Sequence, residues 1–388
     1  MKNDILGHVV YVTSSYFPFG QAYSTRVTAF AQLLESLGYS VHVIADMSLE
    51  KNRIGQMDYC SYEIVGADSR VSRWFGNPFA SYSALNHYLE RHDVAFVIMN
   101  VGSHERFKNI RKICSTKNIP LILEICEWYD KTSFRLKRFD PRYHLMGKNM
   151  NDTYRSADGI IAISRLLADH FAKMKVPVIR IPTIMDTRIL PYSREIAYEK
   201  IRLIHAGSAA VHKEKFKNIM LAINFFGANN PFEYHIYGSD RATILKNIDD
   251  DFALLDSLDS HLYIRGKIPQ QQVHQAYMDA DYSIFVREDK RSSHAGFPTK
   301  LAESMAAGIP VIANNTGDIG LYLKHGENGY LLDDSSPDSI QEVLERIMTL
   351  TSEEIARMRE MARTTAEQSF DYRVYQQPLQ DFLNDVLG

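Results

Sequence analysis

The sequence contains few cysteines and no strong excess of charge. Its three cysteines, Cys60, Cys114 and Cys126, are odd in number and far apart. This pattern argues against a disulfide framework and a thiolate metal site, and it favours a reducing cytosol. A formal net charge of −3 over 388 residues gives no global attraction for nucleic acid. Any basic surface must therefore be local.

Long hydrophobic runs and metal-ligand spacings are also missing. No run of about 18 apolar residues occurs, so no membrane-spanning helix is expected. The first apolar run is broken by His8, unlike that of a cleavable signal. No clustered His, Cys or Asp spacing suggests a metal. Neither half has G-x-G-x-x-G after its first strand, which disfavours a dinucleotide dehydrogenase.

The sequence does contain two series of short β-branched apolar runs that alternate with helical patterns. The first series lies at 8–13, 40–45, 94–99, 120–125 and 159–164, and the second at 201–207, 232–238, 261–266, 281–286, 310–315 and 329–334. Runs without strict alternation are typical of parallel strands covered by helices on both faces. The sequence therefore predicts an α/β protein with two doubly wound, Rossmann-like domains.

The domain boundaries follow from the break between the two series. Residues 182–200 carry two prolines and no strand pattern, so we place the connection and an interdomain cleft there. The expected domains are 1–182 and 183–368. The apolar residues of the last segment, 369–388, have helical spacing despite Pro378, so this segment should form a helix that packs on the protein. It could return to the first domain.

The stretch 294–332 combines several features of a ligand site. Gly296, Phe297 and Pro298 predict a tight loop, Thr299 is suited to cap the next helix, and Gly308 is suited to end it. A helix start beyond the carboxyl ends of parallel strands offers N–H donors and partial positive charge to a phosphate.

Glu303 follows in the first turns of that helix. Its carboxylate can accept hydrogen bonds from a ribose diol, whereas a phosphate would repel it. The alternative is an exposed helix residue that pairs with Lys300 at a spacing of three.

The pattern GFPTKLAESMAAGIPVIA followed by HGENGYLL resembles the donor-binding signature of retaining glycosyltransferases of family 4. Further similar stretches, including LIHAGSAAVHKEKFKNIMLAI and HIYGSD, cover most of residues 155–335, and residues 15–45 resemble the family's first loop and helix. The resemblance implies the GT-B architecture, with a nucleotide-sugar donor domain at the C-terminus and an acceptor-side domain at the N-terminus.

The resemblance also implies roles for individual residues. Lys213 stands where the family carries a lysine that grips the donor diphosphate, and Lys215 and Lys217 are close competitors. Gly238 and Gly266 are either donor contacts or simple turn glycines. The implied catalytic residues are Lys213, Glu303 and Glu127. The implied donor-binding residues are Gly20, Gly207, Ser208, Lys213, Gly238, Gly266, Ile268, Gly296, Phe297, Pro298, Thr299 and Glu303.

One position departs from the family pattern. The family has a second glutamate eight residues before Glu303, and this chain has Ala295 there. In the family that glutamate usually touches the donor sugar, so its absence leaves the identity of the sugar open. His294, Arg287 or Glu288 could supply a substitute polar contact, and the sequence does not choose among them.

The first half supplies weaker candidates. Gly20 follows the first strand, Ser24 can cap the next helix, and Arg26 lies near its start. After the run at 120–125 the family often has a histidine, and this chain has Glu127 near that position, with Glu124 behind it. Glu127 is therefore the candidate for contact with a sugar or an acceptor, and His104 is an alternative for the same contact.

Segment 131–155 holds seven Lys or Arg against two Asp, interleaved with apolar residues. Such a segment could bind an anionic membrane surface or a lipid-diphosphate acceptor. The alternative is a basic face that is simply exposed to solvent.

The expected function is retaining transfer of a sugar from a nucleotide-diphosphate donor, UDP favoured over GDP, to a glycan or lipid-linked acceptor in surface polysaccharide synthesis. No cofactor, metal or nucleic-acid partner is expected, and the expected location is the cytoplasm or the inner membrane face. The alternatives are an epimerase of the same architecture and a non-catalytic nucleotide-sugar-binding protein, which the change to Ala295 favours.

Overall fold

Two compact units make up the chain. The computed structural model describes residues 5–18, 22–48, 53–66, 80–100, 102–189, 192, 200–207, 214–227 and 230–388. One unit comprises Met1–Met185 together with Asp371–Gly388, and the other comprises Asp186–Phe370. Of the expected connection at 182–200, residues 190, 191 and 193–199 lie outside the described residues.

The described strands of the first unit form an eight-stranded sheet in the order β3-β4-β2-β1-β5-β6-β7-β8. All neighbours pair in parallel except the β3–β4 hairpin. The strands are β1 Gly7–Thr13, β2 Tyr39–Ser48, β3 Arg53–Met57, β4 Cys60–Gly66, β5 Val94–Asn100, β6 Leu121–Ile125, β7 Gly159–Ala162 and β8 Val178–Arg180. The helices between them are α1 Ala22–Ser36, α2 Ala80–Leu89, α3 His104–Thr116, α4 Pro141–Asn151 and α5 Arg165–Ala172.

The second unit repeats the doubly wound arrangement. Its described strands form a six-stranded parallel sheet in the order β11-β10-β9-β12-β13-β14. They are β9 Ile201–Ala206, β10 Phe232–Tyr237, β11 Leu262–Gly266, β12 Tyr282–Phe285, β13 Val311–Asn314 and β14 Gly329–Leu332. Its helices are α6 Phe216–Asn224, α7 Arg241–Asn247, α8 Phe252–Ser257, α9 Gln270–Met278, α10 Arg291–Ala295, α11 Thr299–Ala306, α12 Ile319–Tyr322, α13 Pro337–Ile347 and α14 Ser352–Ser369.

The C-terminal helix α15, Gln376–Leu387, belongs to the first unit. Its apolar residues Leu379, Phe382 and Leu383 are buried in the same core cluster as strands β1 and β2. Pro378 lies in the first turn of this helix, where a missing N–H costs no intrahelical bond.

Burial explains why the apolar runs form strands. Both sheets have helices on their two faces, so central strands are buried along most of their length, as in β6 and β12. Each of the predicted runs overlaps a strand of the structure, and the prediction of two doubly wound α/β domains is confirmed. Strands β3, β4 and β8 were not predicted.

Candidate functional site

The second sheet has its topological switch point between β9 and β12. From β9 the chain proceeds to one side through β10 and β11, and from β12 to the other through β13 and β14. Neighbouring helices on opposite faces diverge at such a point, and open α/β sheets bind ligands there, beyond the carboxyl ends of the strands. The residues at this edge include Gly207 after β9, Arg287 after β12 and the start of α11.

Gly207 adopts a conformation that favours glycine. Its φ is 148°, and its N–H donates to the Tyr237 carbonyl at 3.1 Å. A Cβ at this position would lie 3.4 Å from Cε and 3.5 Å from Nζ of Lys300. The lysine of the FPTK motif therefore reaches across the end of β9 and lies against the backbone of Gly207.

Lys300 belongs to a buried charged cluster with Glu214 and His205. Its Nζ donates to Oε1 of Glu214 and lies 3.1 Å from Nε2 of His205. Oε2 of Glu214 lies 3.1 Å from the same His205 nitrogen. The side chains are 10%, 9% and 0% exposed for Lys300, Glu214 and His205. This cluster connects β9, which carries His205, with Glu214 two residues before α6 and with the start of α11.

Burial sets the charge state of the cluster. It lowers the pKa of His205 to about 4, although the Glu214 carboxylate acts in the opposite direction. Burial acts to raise the pKa of Glu214, but His205 and Lys300 outweigh it and the net shift is downward. At neutral pH the cluster therefore holds an ammonium, a carboxylate and a neutral imidazole.

Glu303 lies one turn further along α11 and is half-buried. Burial raises the pKa of its carboxyl to about 7, against the opposing effects of Lys300 and of the Tyr277 hydroxyl. The helical spacing predicted a pair with Lys300, but the ammonium of Lys300 makes its close contacts with Glu214 and His205. Glu303 thus presents a carboxyl group that changes charge near neutrality.

The loop before α11 differs in detail from the sequence prediction. Pro298 occupies the N-cap position and Thr299 is the first helical residue, with no side-chain cap hydrogen bond, so the prediction of a Thr299 cap is wrong. Phe297 is only 8% exposed and packs against Tyr322 and Phe370, with ring centroids 5.5 and 5.7 Å away. Its ring anchors the loop in the core and leaves Gly296 and Pro298 to shape the backbone.

Gly238 and Gly266 are paired turn glycines at the ends of β10 and β11. Their φ angles are 94° and 67°, and the Gly238 N–H donates to the Gly266 carbonyl at 2.7 Å. Ile268 is half-buried and packs against the buried cluster that includes Ala206 and Tyr277. The structure brings these residues to the same edge of the sheet as Gly207. Three further predicted contacts lie outside the described residues: Gly20, Ser208 and Lys213.

The two described lysines of the HKEKFK segment have partners elsewhere. Nζ of Lys215 donates to Ser335 Oγ at 2.7 Å. Lys217 pairs with Asp249 and Asp251, with N···O distances of 3.5 and 3.4 Å. Both lysines therefore serve contacts within the second unit.

The position of the missing family glutamate is buried. Ala295 is fully inaccessible, and Glu288 is half-buried. Arg287 Nη1 donates to the Ser293 carbonyl at 2.8 Å. His294 accepts from the Gly317 N–H at 2.9 Å through Nδ1 and lies 2.6 Å from Asp289 through Nε2. Because Nδ1 accepts, Nε2 carries the proton and donates to the carboxylate.

In the first unit, Glu124 is a fully buried structural centre. It accepts hydrogen bonds from Tyr11, Tyr23 and Arg26. Arg26 also donates to the Pro182 carbonyl. This network joins β1, α1 and β6 to the segment after β8. The sequence placed Arg26 near the start of the first helix and Glu124 behind the candidate Glu127, and the structure buries both Arg26 and Glu124 in the core.

The other first-unit candidates have different positions. Glu127 is half-buried in the loop after β6. His104 is buried at the start of α3, where Nδ1 contacts Asn149 Oδ1. Ser24 lies inside α1, and its hydroxyl donates to the Tyr16 carbonyl at 2.6 Å, so the prediction of a Ser24 cap is wrong.

A second buried ion pair lies at the switch point of the first sheet, between β1 and β5. Arg106 Nη2 lies 3.1 Å from Asp46 Oδ2, and both side chains are nearly inaccessible. The guanidinium nitrogens make no hydrogen bond to the part of the chain that the structure describes. A Cβ at Gly102 would lie 2.9 Å from Arg106 Nη1, so a larger residue there would require the Arg106 side chain to shift. The sequence interpretation missed this pair.

Two negative findings apply to the described ranges. No helix among the described residues is long and apolar enough to cross a membrane. No group of three or more His, Cys, Asp or Glu side chains in that part of the chain could hold a metal ion.

Comparison with known protein families identifies a match within the second unit. Residues 200–365 match the family model described as "Glycosyl transferases group 1". This stretch contains Gly207, the charged cluster and Glu303. No curated protein matches the chain.

Solved structures share the fold over nearly the whole chain. Sucrose-phosphate synthase from Thermosynechococcus elongatus has a TM-score of 0.78 at 12% identity, covering 98% of this chain and 99% of that chain. Anabaena Alr3699/HepE in complex with UDP has a TM-score of 0.68 at 14% identity, with 97% and 99% covered. WaaG, a glycosyltransferase involved in lipopolysaccharide biosynthesis, has a TM-score of 0.66 at 16% identity, with 97% and 99% covered.

At these sequence identities the structural likeness establishes the GT-B fold and does not establish the reaction. The family match over 200–365 supplies an argument for the reaction of the second unit. Taken together, the family match and the GT-B fold indicate a glycosyltransferase.

Proposed function

We propose that the protein is a retaining glycosyltransferase of family 4, which moves a sugar from a nucleotide-diphosphate donor to a glycan or lipid-linked acceptor in surface polysaccharide synthesis. The observation that carries this proposal is the convergence of Gly207, the start of α11 and Glu303 at the switch point of the second sheet. That edge combines a close backbone approach, N–H donors and a carboxyl group. A diphosphate needs the first two features, and a ribose diol suits the third.

The donor is proposed to bind along this edge. The N–H groups at the start of α11 point to the diphosphate, and Glu303 accepts hydrogen bonds from the ribose hydroxyls. Gly238, Gly266 and Ile268 border the base. The family pattern adds Lys213 as a diphosphate contact. We favour UDP over GDP as the nucleotide, because HepE, which shares the fold, was crystallised with UDP.

In the proposed reaction the bond between the sugar C1 and the diphosphate oxygen breaks, and the diphosphate leaves with the electron pair. The acceptor oxygen forms the new bond to C1 on the same face. Its proton passes to a phosphate oxygen of the leaving group, so no side-chain base is required. Charge grows on the diphosphate as the bond breaks, and fixed donors stabilise that charge more than they stabilise the bound substrate.

The acceptor is proposed to meet the carboxyl edge of the first sheet. Glu127 is half-buried in the loop after β6 and can hold an acceptor or sugar hydroxyl. Glu124 is excluded from that role because its carboxylate is buried and engaged by Tyr11, Tyr23 and Arg26.

A thermal-shift panel of UDP, GDP, ADP and their sugar conjugates tests the donor assignment, because a ligand that binds only the native state raises the melting temperature. We expect stabilisation by one diphosphate family. Turnover of the stabilising donor is then measured with and without glycan or lipid acceptors. Turnover without acceptor would favour the epimerase alternative. Binding without turnover by any acceptor would favour the non-catalytic alternative.

We also propose that residues 131–155, the basic surface, rest on an anionic membrane face. This segment carries seven cations against two anions. Three apolar side chains are exposed within it: Leu136, Phe139 and Leu145 are 58%, 72% and 43% exposed. An anionic bilayer surface binds such a segment because the cations attract the lipid headgroups and the apolar side chains insert into the interface.

Sedimentation with vesicles tests the membrane proposal. Binding is expected to vesicles that contain anionic lipid, to weaken at high salt, and to fall in the variant Leu136→Ser/Phe139→Ser. Ile54→Ser is the matched control, because Ile54 is 78% exposed in β3 of the same unit. Equal binding to zwitterionic vesicles, or an equal loss in the control, would contradict the proposal.

A further inference from the structure

The FPTK lysine is placed where a donor diphosphate would lie. Lys300 stands in the first turn of α11, and its Nζ comes within 3.5 Å of the position that a Cβ would take on Gly207. The same ammonium lies 5.4 Å from the centroid of Phe285, the last residue of β12. It therefore bridges the carboxyl ends of β9 and β12, the two strands that flank the switch point.

A second cation lies at the same edge of the sheet as Lys300. Glu214 balances one cation, and His205 is neutral at physiological pH. Arg287 is a second buried cation at this edge, 4% exposed, and its backbone forms a bridge with that of Glu214. The carboxyl of Glu303, one turn further along α11, is only partly ionised near neutrality because burial raises its pKa to about 7. In a poorly hydrated region the two cations attract a ligand of negative charge more strongly than the same groups would in water.

Other basic residues are less well placed for this role. Lys215 and Lys217 make their contacts with Ser335 and with two aspartates of the loop before α8. Lys213 lies outside the described residues. Among the described lysines of these two motifs, Lys300 is the one at the switch point.

We infer that Lys300 is a donor-binding catalytic residue whose ammonium contacts the diphosphate of the nucleotide sugar. This inference rests on the proposed function and adds a residue to it. When the bond from C1 to the diphosphate oxygen breaks, the departing diphosphate gains charge beside this fixed cation. A buried, charge-assisted contact of this kind strengthens as the charge develops.

Glu214 and His205 are positioning residues for Lys300. The carboxylate holds the ammonium on one side, and the neutral His205 ring lies 3.1 Å from Nζ on another. A four-carbon side chain loses considerable freedom when it is fixed, and these partners fix it before the donor binds. The cation is thus already oriented, which is how preorganised groups lower an activation barrier.

The inference is tested by comparing ligands that differ only in their phosphates. Calorimetry is used to measure the Kd of the wild type and of Lys300→Met for the best-binding nucleoside diphosphate among UDP, GDP and ADP, for its monophosphate and for its nucleoside. We expect Lys300→Met to weaken diphosphate binding by about 10- to 100-fold, the range of one charge-assisted hydrogen bond. Nucleoside binding should change by less than about twofold, because the lysine does not touch the base or ribose.

Three further variants separate binding from structure. Lys300→Met leaves Glu214 buried without its cation, so the double variant Lys300→Met/Glu214→Gln removes both charges and is expected to fold and to show the same loss. Lys300→Arg keeps a cation and should recover most of the diphosphate affinity. Lys324→Met is the matched control in the same unit, since this exposed lysine donates to the Gly320 carbonyl at 3.0 Å and is not a member of the charged cluster.

The outcomes are distinguishable. A wild-type protein that binds none of the three diphosphates would overturn the proposed function, and this inference with it. A wild-type protein that binds one diphosphate, with folded Lys300 variants that bind it equally well, would overturn only the role of Lys300. An equal loss for diphosphate, monophosphate and nucleoside would show a structural role instead.

Discussion

Replacing Glu124 should damage the stability of the first unit and leave donor binding intact. The carboxylate is completely buried and accepts hydrogen bonds from Tyr11, Tyr23 and Arg26. Glu124→Ala therefore leaves the Arg26 guanidinium, 3% exposed, without its buried counter-charge. Breaking a buried ion pair by removing one partner costs about 3–5 kcal/mol of unfolding free energy.

The magnitude translates into a measurable shift. For a unit of this size, about 1 kcal/mol corresponds to roughly 2–4 °C in melting temperature, so Glu124→Ala should lower the melting temperature by about 6–20 °C. Glu124→Gln preserves shape and some hydrogen bonds, and should lose less. Circular dichroism melts give the shift, and calorimetry below the transition gives the Kd of the donor nucleotide, which should not change.

Glu127→Gln is the matched comparison, three residues along the same segment. Its carboxylate is half-buried in the loop after β6, so the melting temperature should stay within about 2 °C of the wild type, as for most substitutions outside the core. If Glu127 contacts a sugar or acceptor hydroxyl, kcat/KM should fall about 10- to 100-fold. The reasoning would be refuted if Glu124→Ala melted like the wild type while losing turnover, because Glu124 would then act on a ligand.

The fold was predictable because its signal is repeated and local. Central parallel strands are buried on both faces, so they appear as continuous apolar runs, and β6 is an example with every residue buried. Strand β3 was not predicted because its residues are mostly exposed at the edge of the sheet and so form no continuous apolar run. Strand β8 has only three residues, too few for any periodicity to emerge.

The site was only partly predictable because its contacts are distant in sequence. Lys300 meets Glu214 and His205, which lie 86 and 95 positions earlier. Local spacing suggested a pair between Lys300 and Glu303 instead, but such a helical pair contributes only a few tenths of a kcal/mol to stability. In the folded protein the Lys300 ammonium contacts Glu214 and His205. The useful signal was the histidine two residues before Gly207, which the motif comparison did not use.

The same reasoning explains why the sequence did not reveal the structural role of Glu124. Seen in sequence, Glu124 and Glu127 are neighbouring carboxylates at the end of one strand. Only the tertiary structure shows that Tyr11 and Arg26, 113 and 98 residues earlier, surround the first of them. A buried carboxylate is retained where donors from other elements satisfy it, and no local pattern reveals those donors.

Three further predictions concern the second unit and the pH response of both units. Glu303→Ala should weaken nucleotide binding about 10- to 100-fold by calorimetry with an unchanged circular dichroism spectrum; unchanged affinity would remove Glu303 from the site. Gly207→Ala should cost about 1–2 kcal/mol in unfolding free energy, measured by urea titration, because its φ of 148° is unfavourable for alanine. The last prediction rests on His205 and His42, whose pKa values burial lowers from 6.5 to about 4. Each ring is neutral in the folded protein, whereas the unfolded chain takes up protons below pH 6.5. Their contribution is therefore complete above pH 6.5 and declines as the pH falls towards 4, by up to about 3 kcal/mol for each residue. Urea titrations between pH 4 and 7 should show this decline, and His42→Gln or His205→Gln should make the pH dependence shallower. A slope identical to that of the wild type in both variants would show that carboxylates cause the acid sensitivity.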